Sequence, residues 1–368
     1  MEIANNNNNK MNNAFALKQL LADANKYFTD TNLDVPGIQW FEHLNIQVGS
    51  KVITETFYRD ILGFTSDPSP SFHYNLGAQQ FHFMLGKDDN NAHIIQGSIG
   101  LSVPSLKQVL KACHEVGNSK LSSSTKFQIL SENDRMVTLI GPYGNTFHIY
   151  QAGYDENKDQ VAFNNSKSIT FMEKKHMKWD NAMDIQGKPG IKFLEFQCKN
   201  SEDVANFYQT YFGCNIYFDN SNDDEVNNNN NNNHAVVQVG PNIYFIFTSN
   251  ANLTTEMMKM QEGVHVAVYI SQFKNSYDML KKDNIIWTNP RFVRLDKCDT
   301  WEDAKAGRQY RFKDFIDSKT NNKIFELEHE TRSIRHYQYL KDVAYVPFMM
   351  GTNDSAGEDM MKKTASLL

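Results

Sequence analysis

Phe57-Tyr58, with Leu62-Gly63-Phe64 shortly after it, recurs as Phe207-Tyr208 with Phe212-Gly213-Cys214. Each block follows a strand-like run, Phe41–Val48 in one copy and Ile191–Cys198 in the other. The copies lie farther apart than the roughly 20–50-residue units of solenoids, so a whole domain has been duplicated. A duplicated domain can keep chemistry in one place and lose it in another. Mismatches between the copies therefore carry as much information as the matches.

Each copy divides again into two similar halves. The first half reads strand His43–Val48, helix Ile53–Leu62, then strands Phe72–Leu76 and Gln80–Leu85. The second reads strand Ser98–Val103, helix Leu106–Val116, then Phe127–Leu130, Met136–Ile140 and Thr146–Gln151, with the turn residues Gly141-Pro142-Tyr143-Gly144-Asn145 before the last strand. The second copy repeats this from Ile191–Cys198 through His265–Ile270 to Lys323–Glu328. The expectation is an α+β chain of four βαβββ modules in two pairs. Side chains alternate across a strand: Leu44, Ile46 and Val48 oppose His43, Asn45 and Gln47, and Val264, Val266 and Val268 oppose His265, Ala267 and Tyr269. Every module thus turns an apolar face to its helices and a polar face to a shared cleft.

The rest of the 368 residues sets the boundaries. Residues 1–37 read as an Asn-rich low-complexity start with a short amphipathic helix (Phe15, Leu17, Leu20, Leu21, Ala24, Phe28). Residues 38–152 and 190–332 read as the two domains, 153–189 as a polar linker with one strand at Ser168–Met172, and 333–368 as an extension and tail. The tract Asn227–Asn233 reads as a disordered surface loop. A net charge of −6 without a basic run gives no footprint for nucleic acid. No run approaches the ~20 apolar residues of a membrane span, and Met1–Asn13 lacks a secretory pattern, so a cytoplasmic monomer or homodimer is expected. Four scattered cysteines without a CxxC read as buried thiols.

On these motifs the chain resembles the vicinal oxygen chelate superfamily of glyoxalase I, extradiol dioxygenases and fosfomycin-resistance proteins. The carriers are the His43 strand with its Phe57-Tyr58…Leu62-Gly63-Phe64 helix, Gly97–Val103, Gly141–His148 and Val264–Val268. The resemblance implies two glyoxalase-like domains and a divalent metal held from the first and fourth strands of two paired modules. Carried over, those positions are His43 and His82 in the first module and Ser98 and His148 in the second. In the third they are Phe193 and Phe245, and in the fourth His265 and Glu326. Pairing in sequence order leaves each domain an incomplete set. Pairing the first module with the fourth gathers His43, His82, His265 and Glu326 in one cleft and leaves Ser98, His148, Phe193 and Phe245 in the other. Three imidazoles and a carboxylate suit Zn, Ni or Fe(II), and His43, His265 and Glu326 alone would make a 2-His-1-carboxylate set.

Blander readings stand beside these. His82, between Phe81 and Phe83, also reads as a packed histidine, and Glu328 and His329 as solvated strand-end residues. Glu195 and Gln197 share the face of Phe193 and could bind a polar substrate; Arg311 could hold an anionic one. The resemblance implies a metal-dependent enzyme of the glyoxalase type acting on a small oxygen-chelating molecule, with Glu326 as ligand and proton shuttle in lyase or isomerase chemistry. An Fe(II)-dependent dioxygenase and a non-catalytic small-molecule binder are the alternatives.

Overall fold

In the computed structural model of the chain, the structure describes residues 16–28, 37–68, 71–152, 189–218, 234–316, 320 and 322–341. The Asn-rich start, the linker with its strand at Ser168–Met172, the tract Asn227–Asn233 and the tail beyond 341 lie outside the described residues. The strands are β1 (Ile38–Val48), β2 (Thr65–Ser66), β3 (His73–Leu76), β4 (Gln79–Leu85), β5 (Gly97–Val103), β6 (Gln128–Glu132), β7 (Met136–Ile140) and β8 (Thr146–Gln151). They continue as β9 (Gly190–Cys198), β10 (Ile216–Phe218), β11 (His234–Gly240), β12 (Ile243–Ser249), β13 (His265–Ile270), β14 (Gln309–Ile316) and β15 (Lys323–Ser333). Two mixed sheets result, ordered β14-β15-β13-β1-β4-β3-β2 and β10-β11-β12-β9-β5-β8-β7-β6.

This order pairs the modules. The antiparallel contact of β1 with β13 joins the first module to the fourth, and that of β5 with β9 joins the second to the third. Each sheet thus draws one module from each sequence copy. Within the first three modules a helix carries the chain back so that the last strand lies parallel to the first, as in β1 with β4. Among the described residues the fourth module has three strands, with the helix Phe273–Lys282 after β13 and β15 again parallel to β13. Short helices at Val293–Asp296 and Trp301–Gly307 precede β14, in a stretch opened by Pro290, which has no N–H for a ladder.

The duplicated motif has a physical reading. Asn200 caps the helix Ser201–Phe212 by accepting from the amides of Glu202 and Asp203, and Gly213 closes it at φ 63°. Gly63 ends the equivalent helix at φ 73°, a left-handed conformation that glycine adopts without a Cβ penalty. The paired aromatics before each glycine are buried and join one core between the sheets. There Phe41 meets Phe245 at 5.5 Å and Phe196 meets Phe325 at 6.0 Å between ring centroids. Each such ring contributes about 1.5–3 kcal/mol of burial. All four cysteines are buried free thiols, as their spacing suggests.

A second cluster covers the opposite face of the eight-stranded sheet. Leu17, Leu20, Leu21, Ala24 and Phe28 of the helix at residues 16–28 pack on Met136, Tyr150, Phe193, Val236, Tyr244 and Ile246. No helix among the described residues is long and apolar enough to cross a membrane.

Candidate metal centre

The face of the seven-stranded sheet turned away from the core gathers histidines from both ends of the chain. His43 of β1 and His265 of β13 lie with ring centroids 5.7 Å apart. With Glu330 of β15 they offer ligand atoms all within 4.8 Å of one another. Ligand atoms around a tetrahedral ion with bonds of ~2.1 Å stand about 3.4 Å apart, so the set is slightly more open than a closed coordination sphere. All three residues are buried.

A local irregularity in β1 orients His43. The register slips between Phe41 and His43, a bulge that turns the extra residue, Glu42, onto the same face. Glu42 Oε2 lies 3.1 Å from His43 Nδ1. That contact leaves Nε2 facing the cluster, as a carboxylate–imidazole pair does for a metal ligand. Among the described residues neither His43 Nε2 nor His265 Nδ1 has a hydrogen-bond partner. Each orphaned buried nitrogen costs about 1–3 kcal/mol, which coordination to a cation would recover.

Charge converges on the same point. Glu330 accepts from Arg311 Nη2 at 2.6 Å and from Arg332 Nε at 2.6 Å. Arg332 also donates to Glu42 at 2.6 Å and to the Tyr269 hydroxyl at 2.9 Å, and Arg311 donates to Asp296 and to Glu328, each at 2.8 Å. Lys341 stands 3.9 Å from Glu42. Four carboxylates (Glu42, Asp296, Glu328, Glu330) therefore face three cations, and the network keeps one excess negative charge that a divalent ion would offset. Burial opposes ionisation of Glu330, but Arg332 and Arg311 overcome it and hold its carboxyl well below the usual range. Burial, with Arg311 beside it, pushes His265 well below the ordinary imidazole value, and burial lowers His43 against the pull of Glu42. Both imidazoles are neutral near pH 7, the form that binds metals. The donor set fits a divalent cation held by His43, His265 and Glu330.

The expected residues are distributed as follows. His43 and His265 meet, although they come from opposite ends of the chain. Glu326 does not join them. It lies two pleats before Glu330 on the same face, about 13 Å away at ~3.3 Å per residue. There it pairs with Lys313 at 3.1 Å and with Lys323. Register explains the shift: β13 runs beside β15 with His265 opposite Glu328 and Ala267 opposite Glu330. In the first module His43 stands opposite Gln80 and Asn45 opposite His82. Across the β1–β13 pair Asn45 faces His265 and His43 faces Ala267, so Glu330 is the symmetry mate of His82.

His82, expected as a ligand, lies outside the three-residue cluster. Its ring stacks between His43 at 3.7 Å and His73 at 3.5 Å, and its Nε2 lies 3.1 Å from Gln80 Oε1. Arg311 is at the cluster, committed to carboxylates. Glu195 and Gln197 belong to the other sheet, where Ser98 and Thr248 donate to Glu195 at 2.6 and 3.0 Å and Asn250 donates to Gln197 at 2.8 Å. Glu328 and His329 are buried rather than solvated; His329 sits in the core 2.9 Å from the Tyr208 hydroxyl. Glu42, Glu330 and Arg332 were not singled out from the sequence.

The equivalent positions in the eight-stranded sheet are Phe193, Ser98, His148 and Ile246. Phe245, the expected fourth position, turns into the core one residue away. Phe193 and Ile246 are covered by the helix at residues 16–28, so apolar packing stands where the other sheet has its histidines.

No family model and no curated protein matches the chain. Among solved structures, glyoxalase I from Zea mays aligns at 11% identity over 80% of this chain and 92% of its own, with a TM-score of 0.44. A putative dioxygenase from Bacillus subtilis aligns at 9% identity over 91% and 98%, with a TM-score of 0.45. The 2,3-dioxygenase LapB from Pseudomonas sp. KL28 aligns at 12% over 87% and 97%, with a TM-score of 0.25. These likenesses concern the fold alone. Four modules pair into two sheets through antiparallel first strands, the α+β arrangement expected from the sequence.

Proposed function

We propose that this chain, with its vicinal oxygen chelate fold, is a divalent-metal-dependent enzyme acting on a small oxygen-chelating substrate, with His43, His265 and Glu330 as the metal ligands. The observation that carries the reading is the convergence of these three donors within 4.8 Å, two of them imidazoles with an unpartnered buried nitrogen. His43, His265 and Glu330 would hold the ion, which when bound would supply Lewis acidity, or with Fe(II) redox chemistry. The residues themselves do the rest. Glu42 fixes the tautomer and orientation of His43, Arg311 and Arg332 hold the Glu330 carboxylate, and His82 braces the His43 ring from its far side.

The donor set favours dioxygenase chemistry over glyoxalase-type isomerisation. Isomerisation needs a base that can take a proton from the substrate carbon. Glu330 would be taken up as a metal ligand, Glu326 is paired with lysines away from the cluster, and Glu328 accepts from Arg311 and Asn289 through Oε1. Two imidazoles and one carboxylate are the ligand set associated with non-haem Fe(II) oxygenases. The test is anaerobic loading of metal-free protein with Fe(II), followed by oxygen uptake with catechol as the chelating substrate. Uptake that disappears in His265→Ala supports the reading. Oxygen uptake absent with Fe(II), together with isomerisation of a 2-oxoaldehyde–thiol adduct on Zn(II) or Ni(II) loading, would replace it with the glyoxalase type.

A further inference from the structure

We propose that the cavity beside the metal cluster binds the anionic end of an organic substrate. Its flat apolar part would lie beside Trp287, and its charge would face Arg291, Lys259 and Lys199. The placement of the substrate's reacting end rests on the metal-centre reading; the anion site stands on the cavity's own residues.

The cavity measures about 450 Å³ and opens at the beginning of β15, between that strand and the segments that precede β13 and β14. A volume in the range of roughly 300–1,000 Å³ suits a small organic molecule. Five cations and three carboxylates line it. Lys313 and Lys323 are already paired with Glu326, and Glu328 is bonded to Arg311 and Asn289. What remains is Lys199, Lys259 and Arg291 against Glu262, with Glu328 sharing Arg311 with Asp296 and Glu330, so the lining keeps a net positive charge around a half-buried indole. A concave site with a net positive charge draws anionic ligands. Val264 and Glu328 belong to its wall, and they stand one and two residues from His265 and Glu330 along their strands. A ligand anchored here would extend toward the metal ligands. A carboxylate and a phosphate monoester share this chemistry.

The experiment uses the full chain stripped of metal, with Trp287 fluorescence and calorimetry as readouts and benzoate, phenyl phosphate and the neutral isostere benzamide as probes. At least one anion should bind ten times or more tighter than benzamide, and the tighter of the two identifies the preferred group. Arg291→Ala and Lys259→Glu, each checked for an unchanged unfolding midpoint, should weaken that anion at least tenfold. Trp287→Phe should remove the optical signal but not the heat of binding. Equal affinity for benzamide, or an affinity unmoved by both charge variants, overturns the proposal. His265→Ala should leave benzoate binding as it was while abolishing metal uptake, so failure of the anion site and failure of the metal centre are read separately.

Discussion

Replacing Arg332 with Met should cost about 3–5 kcal/mol of folding stability. Arg332 lies among Glu42, Glu330 and Tyr269, donating at 2.6 Å to each carboxylate and at 2.9 Å to the hydroxyl. Both carboxylates are buried, and burial by itself would favour their neutral forms; Arg332 is the strongest influence keeping Glu42 ionised, with a pKa of about 2. Methionine preserves the apolar stem and removes the charge, leaving two buried carboxylates short of a partner. Breaking a buried pair from one side costs roughly 3–5 kcal/mol, because the remaining charge is uncompensated. The exposed pair Lys274–Asp278 provides the comparison, since surface i,i+4 pairs are worth about 0.3–0.5 kcal/mol. Urea unfolding of wild type, Arg332→Met and Lys274→Met at pH 7 measures both. The sign with pH is also fixed. A carboxylate with a depressed folded pKa adds stability above its unfolded value and loses it as pH falls through the folded one. Without Arg332 the folded pKa values rise, so the deficit of the variant relative to wild type should hold above pH 5 and shrink as the pH falls from 5 to 3. A loss below 1 kcal/mol, or a deficit independent of pH, refutes the electrostatic account of the site.

The packing and titration of other regions give two further tests. Leu21 is 1% exposed where the helix at residues 16–28 covers Phe193 and Ile246. Leu21→Ala should weaken that docking by about 2–5 kcal/mol; hydrogen exchange would then rise across residues 16–28 while the histidine-bearing sheet stays protected, and uniform protection of the helix contradicts the packing. Burial lowers His93 from 6.5 to about 4, and its Nδ1 accepts from the Gln47 amide at 3.1 Å. A histidine whose folded pKa is depressed loses stability as pH falls below its unfolded value. Wild type should therefore lose about 2 kcal/mol more than His93→Gln between pH 7 and pH 5 in urea unfolding; equal losses exclude a neutral His93.

The fold was legible because its signals are local. Alternation in the strands, the aromatic pair before each helix end and the left-handed Gly63 and Gly213 all depend on neighbours a few residues away. His43 and His265 were readable for the same reason, as polar residues opposite apolar ones at the start of modules. Glu330 was not. Glu326, Glu328 and Glu330 occupy one face of β15, and alternation gives no means of choosing among them. The choice belongs to the register of β15 on β13, which long-range pairing fixes. Glu42 is not legible in the alternation, because it reaches the face of His43 only through a bulge that interrupts the period of two. Glu195 and Gln197 lie on the eight-stranded sheet, away from the cluster, because the pairing of modules decides which strands share a cleft.

Titration of the metal-free full chain with Fe(II) and Zn(II), with bound ion counted after gel filtration, tests the metal centre most directly. One ion per chain is expected, with affinity lost by at least tenfold in each of His43→Ala, His265→Ala and Glu330→Gln and unchanged in Glu326→Gln. A chain that retains no ion, or one for which Glu326→Gln is as damaging as Glu330→Gln, contradicts the three-residue site.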